Sequence, residues 1–414
     1  MRSSSARSAV IAPEAELLVA LGKPRPSAAD WTRAAAAQAN PAFTWTEAMR
    51  LARVHKVQPM LAWNLKARDA EAFAGLPPAV RQELGTALLA ARTRRERYHT
   101  TLVPVFERLA ARGIPLVLMK GAIVMETAYP PGARWLNDLD ALVSVADRLV
   151  AVETFAEYGF RLTSALPEPD AYHQVSLVHD GDDRPPLCVD LHWDVVYRPR
   201  SPFTFDAAGI IRGARAIGFG GVRVLAMSDE ETIVHYATQV FGQFFKTRLV
   251  RFADMCSLLD GAQMERLVAA AAAAGAAGIT HTALGALALL DVTVPRRVLD
   301  DLAREQPRCA IGSELLVDYR WLLNDSEAAW GAMTVAKGAY LATPGQRRRY
   351  WLSLPSDLYR RSRREGSNLS AAQAVVSGLC AVALCGGVLL MLAGTSRKHG
   401  RVAARMRDLL WRAP

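Results

Sequence analysis

Cysteine is scarce and scattered. The chain has five, Cys188, Cys256, Cys309, Cys380 and Cys385, and no CxxC pair among them. That excludes a disulfide scaffold and a cysteine-based zinc site, and it suits a reducing compartment. Net charge is absent from most of the chain. Of 50 basic and 40 acidic residues, 13 Lys/Arg and 3 Asp/Glu fall between Arg347 and Pro414, which leaves 37 of each sign in residues 1–346. The total of +10 therefore belongs to the tail. Phe, Tyr and Trp do not alternate with Lys/Arg near any candidate motif, so nucleic acid is not an expected partner. The cluster Arg347-Arg348-Arg349-Tyr350-Trp351 is the main feature to the contrary, and it suits anionic lipid headgroups equally well. A secretory signal is not expected either, because Pro13, Glu14 and Glu16 interrupt the first apolar run.

Long apolar runs are also rare. The chief one lies in a stretch without charge from Gly366 to Ser396, and its apolar segment is 371–394. As a helix its 24 residues would extend about 36 Å, enough for the roughly 30 Å apolar layer of a bilayer. Arginines flank it on both sides, so charge bias sets no orientation. Two readings stay open: membrane contact through residues 347–414, or a buried helical hairpin broken near Gly386-Gly387. The expected location is cytoplasmic, with the first reading adding contact with the inner face of the cell membrane.

The rest of the chain reads as helical, then α/β, then helical, with expected boundaries at 1–112, 113–227 and 228–346. Apolar residues recur at helical spacing through the first block. Its longest helix is expected from Val80 to Ala110, kinked or divided at Pro104. From Gly113 the pattern changes. IPLVLMKG reads as a strand and a Lys-Gly corner, AIVMETAY as a short helix, and NDLDALV as a strand. A helix capped by Ser144 follows, then the strands YHQVSLVHD and LCVDLHWDVV. Beyond Ser228 helices resume, with Ser228 or Asp229 as cap and an alanine-rich stretch from Leu267 to Leu290 that is expected to be helical. His55, His99 and His235 are expected to be packed or solvated residues.

The chemistry-bearing feature is Asp138-Leu139-Asp140 together with Asp190. Residues i and i+2 of a strand share a face, so Asp138 and Asp140 stand side by side. Asp190, on a later strand, can join them. Converging carboxylates repel unless a cation lies between them, and an oxygen ligand set suits Mg²⁺, with Mn²⁺ also accommodated. Such a set supports phosphoryl or nucleotidyl transfer from an NTP. Asp190 would stand nearest the attacking group, as metal ligand or as base.

LMKG, then R-x-x-x-D-x-D-x-L-V, then V-D-x-H-W resembles the nucleotidyltransferase-like family of bacteria within the DNA polymerase β superfamily. The likeness is strongest from Leu118 to Trp193. It implies an α/β fold with large helical parts: a polymerase β-like core with a small mixed sheet, flanked by helical regions. It also implies a Mg²⁺ site at Asp138, Asp140 and Asp190. The superfamily's Gly-Ser corner is here Lys120-Gly121. Gly121 would let backbone approach a phosphate, and Lys120 would supply positive charge. Arg134 recurs with the DxD strand in this family type and is expected to bind substrate. His192 shares the face of Asp190, as partner of the site or as packing. Only one of His173 and Gln174 can face the cleft, and His173 is the expected one. A family pattern of His on one helix and R…D on the next falls on His235 and on Arg248, Arg251 and Asp254, where an Arg251–Asp254 salt bridge is expected. Lys246 or Arg248 is a further candidate for the triphosphate.

The activity implied is transfer of a nucleoside monophosphate from NTP to a hydroxyl or phosphate of an acceptor, which is a small molecule, a peptide or a protein, with release of pyrophosphate. Two alternatives remain open. One is a nucleotide-sugar donor at the same metal site, for peptide or polysaccharide tailoring. The other is a non-catalytic binding protein that keeps the fold.

Overall fold

A computed structural model of the chain describes residues 12–180, 185–198, 201–242, 248–287 and 292–306. These hold 14 helices and one seven-stranded mixed sheet. No helix among them is long and apolar enough to cross a membrane. The basic tail 347–414, its apolar segment 371–394, Lys246 and the helices expected after 306 lie outside the described residues.

The first block is helical: α1 (Pro13–Leu21), α2 (Ala28–Gln38), α3 (Trp45–His55), α4 (Gln58–Arg68), α5 (Ala70–Ala74) and α6 (Pro78–Ala111). Ser27 and Asp30 form a reciprocal capping box at the start of α2, satisfying two amides that the helix cannot. Lys23 lies 2.8 Å from the same buried Asp30 carboxylate. The 34 residues of α6 run through Pro104 without a break, so of the kink or division expected there the division does not occur. A proline removes one ladder bond. The buried face of Tyr98, Leu102, Val105, Phe106 and Leu109 continues on both sides of it and keeps the helix whole.

Next come β1 (Val117–Leu118), α7 (Gly121–Thr127), β2 (Leu139–Leu142), α8 (Arg148–Glu157), β3 (Arg161–Leu162), β4 (Gln174–His179) and β5 (Leu187–His192). Ser144 accepts the Asp147 amide at 3.1 Å, so it caps the turn before α8 and the helix itself starts at Arg148. Beyond α9 (Ala207–Arg212) the chain forms a hairpin, β6 (Arg215–Phe219) and β7 (Val222–Ala226). Its turn is Gly220-Gly221, at φ 57° and 92°. Two consecutive positive φ angles match the twist of a tight hairpin and suit glycine. The sheet order is β3-β4-β5-β2-β1-β7-β6. β2 pairs with β5, and β1 with β7, in parallel; the other neighbours are antiparallel.

The last block is α10 (Asp229–Gly242), α11 (Leu249–Leu259), α12 (Met264–Ala273), α13 (Ala277–Ala286) and α14 (Arg296–Glu305). Ser228 accepts the Glu231 amide and caps α10. The alanine-rich stretch is divided between α12 and α13, with Gly275 at φ 65° in the corner. One apolar core is continuous through all three blocks, from Leu17 through Leu139 and Val189 to Leu302.

Burial opposes ionisation of Asp30, but Lys23 and the Ser27 donors outweigh it and hold its pKa below the ordinary value of 3.8. The stabilisation this gives is complete above that value and is lost as pH falls through the depressed one. Asp30→Asn should therefore lower the thermal midpoint at pH 7, and the gap to the unaltered protein should close at a pH well below the ordinary value of 3.8. Melting curves at both pH values check this; an equal gap at both would show that the charge of Asp30 is not what stabilises.

Candidate active site

The core of the site is a register. β2 and β5 run parallel with Asp140 opposite Asp190 and Leu142 opposite His192. In-register residues of neighbouring strands point to one face, so Asp140, Asp190 and His192 share it. β4 adds Ser176 opposite Asp190 and Gln174 opposite His192. Ser176 Oγ donates to Asp190 Oδ1 at 2.6 Å, and Gln174 Nε2 donates to Oδ2 at 3.0 Å. Asp190 is thus held by neutral donors on both oxygens.

Asp140 is held by charge. Lys120 Nζ lies 2.5 Å from its Oδ1, and His192 Nε2 lies 3.1 Å from the same oxygen. Burial would raise the Asp140 pKa, but Lys120 and the His192 bond drive it far below the usual carboxylate range. Asp138, exposed where the chain enters β2, shows the opposite balance. Partial desolvation in the cleft, then the charges of Asp140 and Asp190, push its pKa up. With Nε2 turned to Asp140, Nδ1 of the buried His192 has no hydrogen-bond partner among the described residues. Ligand atoms of Asp140, Asp190 and His192 all lie within 4.8 Å of one another, a spacing that one divalent cation can bridge. Two oxygens and one nitrogen form a donor set for which Mn²⁺ is as suitable as Mg²⁺.

His173 and Gln174 divide the work differently from the alternation expected. Gln174, the first residue of β4, lies on the carboxylate face. His173 precedes the strand, escapes its alternation, and sets its ring 5.5 Å from that of His192. It also touches Tyr172 and Tyr197, at 4.8 and 5.9 Å between ring centres. Burial, then the neighbouring His192 and Lys120, lower its pKa to about 3, so its ring is neutral near pH 7. His235, on α10, is buried with Nδ1 unpartnered. Burial first, then Lys120, keeps it neutral as well.

The Lys-Gly corner connects β1 to α7. Lys120 adopts φ 52°, ψ −126°, a conformation that ordinarily demands glycine. Gly121 is needed for space. A Cβ there would meet Leu136 at 2.9 Å and the Arg134 guanidinium at 3.3 Å.

Arg134, expected at a phosphate, is turned toward α11. Its Nε and Nη2 donate to the two oxygens of Asp254, at 3.0 and 2.8 Å. Tyr129 and Tyr236 hydroxyls donate to the same fully buried carboxylate at 2.8 and 2.9 Å. The expected partner of Asp254 was Arg251, three residues earlier on the helix. The structure gives Asp254 a partner 120 residues away, because α11 packs on α7. A forked, doubly bonded pair with added hydroxyl donors meets the conditions under which a buried ion pair is tolerated.

Three features that sequence reasoning missed also shape the site. Lys56, which follows α3, is drawn to Asp138. Burial, then repulsion by Arg248, lowers its pKa to about 8. Ser176 and Gln174 were legible as alternating polar residues of YHQVSLVHD. Arg94 and Tyr98 of α6 carried no signal of their role. Arg94 Nε donates to the Leu136 carbonyl at 2.6 Å, Nη2 to that of Asn137 at 2.5 Å, and Nη1 to that of Pro186 at 3.2 Å. The Tyr98 hydroxyl lies 3.2 Å from the Asn137 carbonyl and 3.0 Å from that of Cys188. One helix face thereby fixes where β2 and β5 begin, beside Asp138 and Asp190.

A family described as an uncharacterised nucleotidyltransferase matches residues 41–295, well over half of the chain, and the protein belongs to that family. No curated protein matches the chain. Membership makes nucleotide transfer the class of reaction, with a nucleotide as substrate.

Arg94→Met should cost about 3–5 kcal/mol, because it strands three carbonyls that Arg94 now satisfies. Urea unfolding monitored by tryptophan fluorescence measures the loss. A cost under about 1 kcal/mol would mean that water satisfies those carbonyls equally well.

Proposed function

We propose that this protein is a divalent-cation-dependent nucleotidyltransferase with a polymerase β-like core over residues 113–227, flanked by helical regions 1–112 and 228–346. It moves a nucleoside monophosphate from NTP to a hydroxyl or phosphate of an acceptor and releases pyrophosphate. The acceptor class remains as the sequence framed it: a small molecule, a peptide or a protein. The observation that carries this reading is the parallel register that sets Asp140 beside Asp190, with Asp138 two residues before Asp140.

The residues suit a bound cation. Lys120 supplies positive charge at Asp140, and Asp138 stands beside Asp140 and Asp190 with no ion pair of its own among the described residues. Asp138, Asp140 and Asp190 would hold Mg²⁺ or Mn²⁺, with His192 as a fourth donor. Such an ion neutralises phosphate oxygens and lowers the pKa of an attacking hydroxyl. Ser176 and Gln174 orient Asp190, which we assign nearest the attacking group. Lys120 would also stand beside a donor phosphate, and Gly121 leaves room for Leu136 and the Arg134 guanidinium against the corner. His173, neutral near pH 7, braces His192. Arg134 reaches the site indirectly, by fastening α11 behind the Lys-Gly corner.

The test incubates the full chain with each labelled NTP, Mg²⁺ or Mn²⁺ and candidate acceptors, and follows labelled product and pyrophosphate. The Asp138→Asn, Asp140→Asn double variant should lose at least about a hundredfold in transfer, and chelation should abolish it. Full transfer by that variant would sink the site assignment. Release of a nucleoside mono- or diphosphate from a nucleotide-sugar, without pyrophosphate, would favour the alternative donor.

A further inference from the structure

Among the described residues, only two that are not glycine hold a positive φ: Lys120 at 52° and Lys56 at 56°. Backbone held in this region is costly for a residue with a side chain, and it persists where surrounding structure enforces it. Both are lysines: Lys120 pairs with Asp140 at 2.5 Å, and Lys56 feels the charge of Asp138 without pairing with it. Lys56 comes from the helical block before the sheet, where no motif marks it.

The turn at Lys56 is the left-handed cap of α3, its backbone N–H donating to the carbonyls of Ala52 and Arg53. The buried His55 Nδ1 accepts the backbone N–H of Leu249 at 3.2 Å, which fastens the end of α3 to the start of α11. The residues flanking that bond are Lys56 on one side and Arg248 on the other. Arg251 follows one turn along α11, and Lys56 senses Arg248, Arg134 and Arg251 as positive neighbours. Like charges gathered this way repel. The nearby acids are already engaged: Asp254 is bonded by Arg134, and Asp140 by Lys120. Lys56 and Arg248 form no ion pair among the described residues.

We propose that Lys56 and Arg248, with Arg251 behind them, seat the phosphate chain of the nucleotide donor, so that the helical block before the sheet completes the site. This rests on the nucleotidyltransferase reading and adds to it the residues that take the charge of the leaving phosphates. A polyphosphate supplies several negative charges on one short chain, which a single carboxylate such as Asp138 does not. The His55–Leu249 bond keeps the cations together before it arrives, so little ordering is needed on binding.

The experiment measures binding of inorganic tripolyphosphate with Mg²⁺ to the full chain by isothermal titration calorimetry, with ATP and GTP alongside. Lys56→Gly and Arg248→Ala should each weaken tripolyphosphate binding by about tenfold or more, the effect of losing one charge-assisted contact. Lys56→Arg should stay within about threefold, since the charge is retained. Lys56→Gly also relieves the backbone, so its thermal midpoint should not fall while its binding does. A merely structural Lys56 would not separate the two readouts. Binding by both Lys56→Gly and Arg248→Ala within about twofold of the unaltered protein would overturn this inference and leave the transferase reading standing. No binding of tripolyphosphate, ATP or GTP by the unaltered protein would overturn both.

Discussion

The buried guanidinium of Arg94 is the constraint on which the rest depends. Its donors go to main-chain carbonyls of residues 136, 137 and 186, on two segments far apart in sequence. Carbonyls shielded from water are expensive to leave unpaired, and a planar fork satisfies several at fixed angles. The two segments lead directly into β2 and β5. Holding them together sets which residues of those strands lie opposite, and a shift of one residue would turn every side chain to the other face. The carboxylate cluster is thus specified by a helix that contributes no acid to it.

Carboxylates brought this close would separate if the protein did not compensate them. Each acid is treated differently. Asp140 receives an ammonium and an imidazole, Asp190 receives a hydroxyl and an amide, and Asp138 is left open at the mouth. Behind the corner, Arg134 and Asp254 neutralise one another and take two tyrosine hydroxyls with them. Positive and negative residues are therefore balanced inside the fold, while the surface at Asp138 keeps its charge for what binds there.

Much of this was legible in the sequence, for a physical reason. Strand alternation is local, so Asp138-Leu139-Asp140 and Val189-Asp190-Leu191-His192 announce their faces without tertiary knowledge. The Lys-Gly corner, the alanine-rich helices and most of the order of helix and strand from Gly113 to His192 were readable on the same grounds, but the two-residue β3 at Arg161–Leu162 was not. What escaped depends on distant pairing. The Arg134–Asp254 fork and the His55–Leu249 bond join residues 120 and 194 positions apart, and no periodicity encodes either. The β6–β7 hairpin escaped although Gly220-Gly221 marks its turn, because its short strands gain their place by pairing with β1, about a hundred residues earlier. Pro104 does not divide α6, because one absent hydrogen bond counts for less than a continuous buried face on both sides.

The distance spanned by the Arg134–Asp254 pair also has a consequence in time. During synthesis, Asp138 and Asp140 leave the ribosome about fifty residues before Asp190, and more than a hundred before Asp254. Non-local contacts form only after the entropy of closing such loops has been overcome, so α11 joins the Lys-Gly corner after the strands that carry the acids have been made. The aspartates can come together once β5 has been made, since Arg94 and β2 precede it in the chain, whereas the Arg134–Asp254 pair behind the Lys-Gly corner waits for α11.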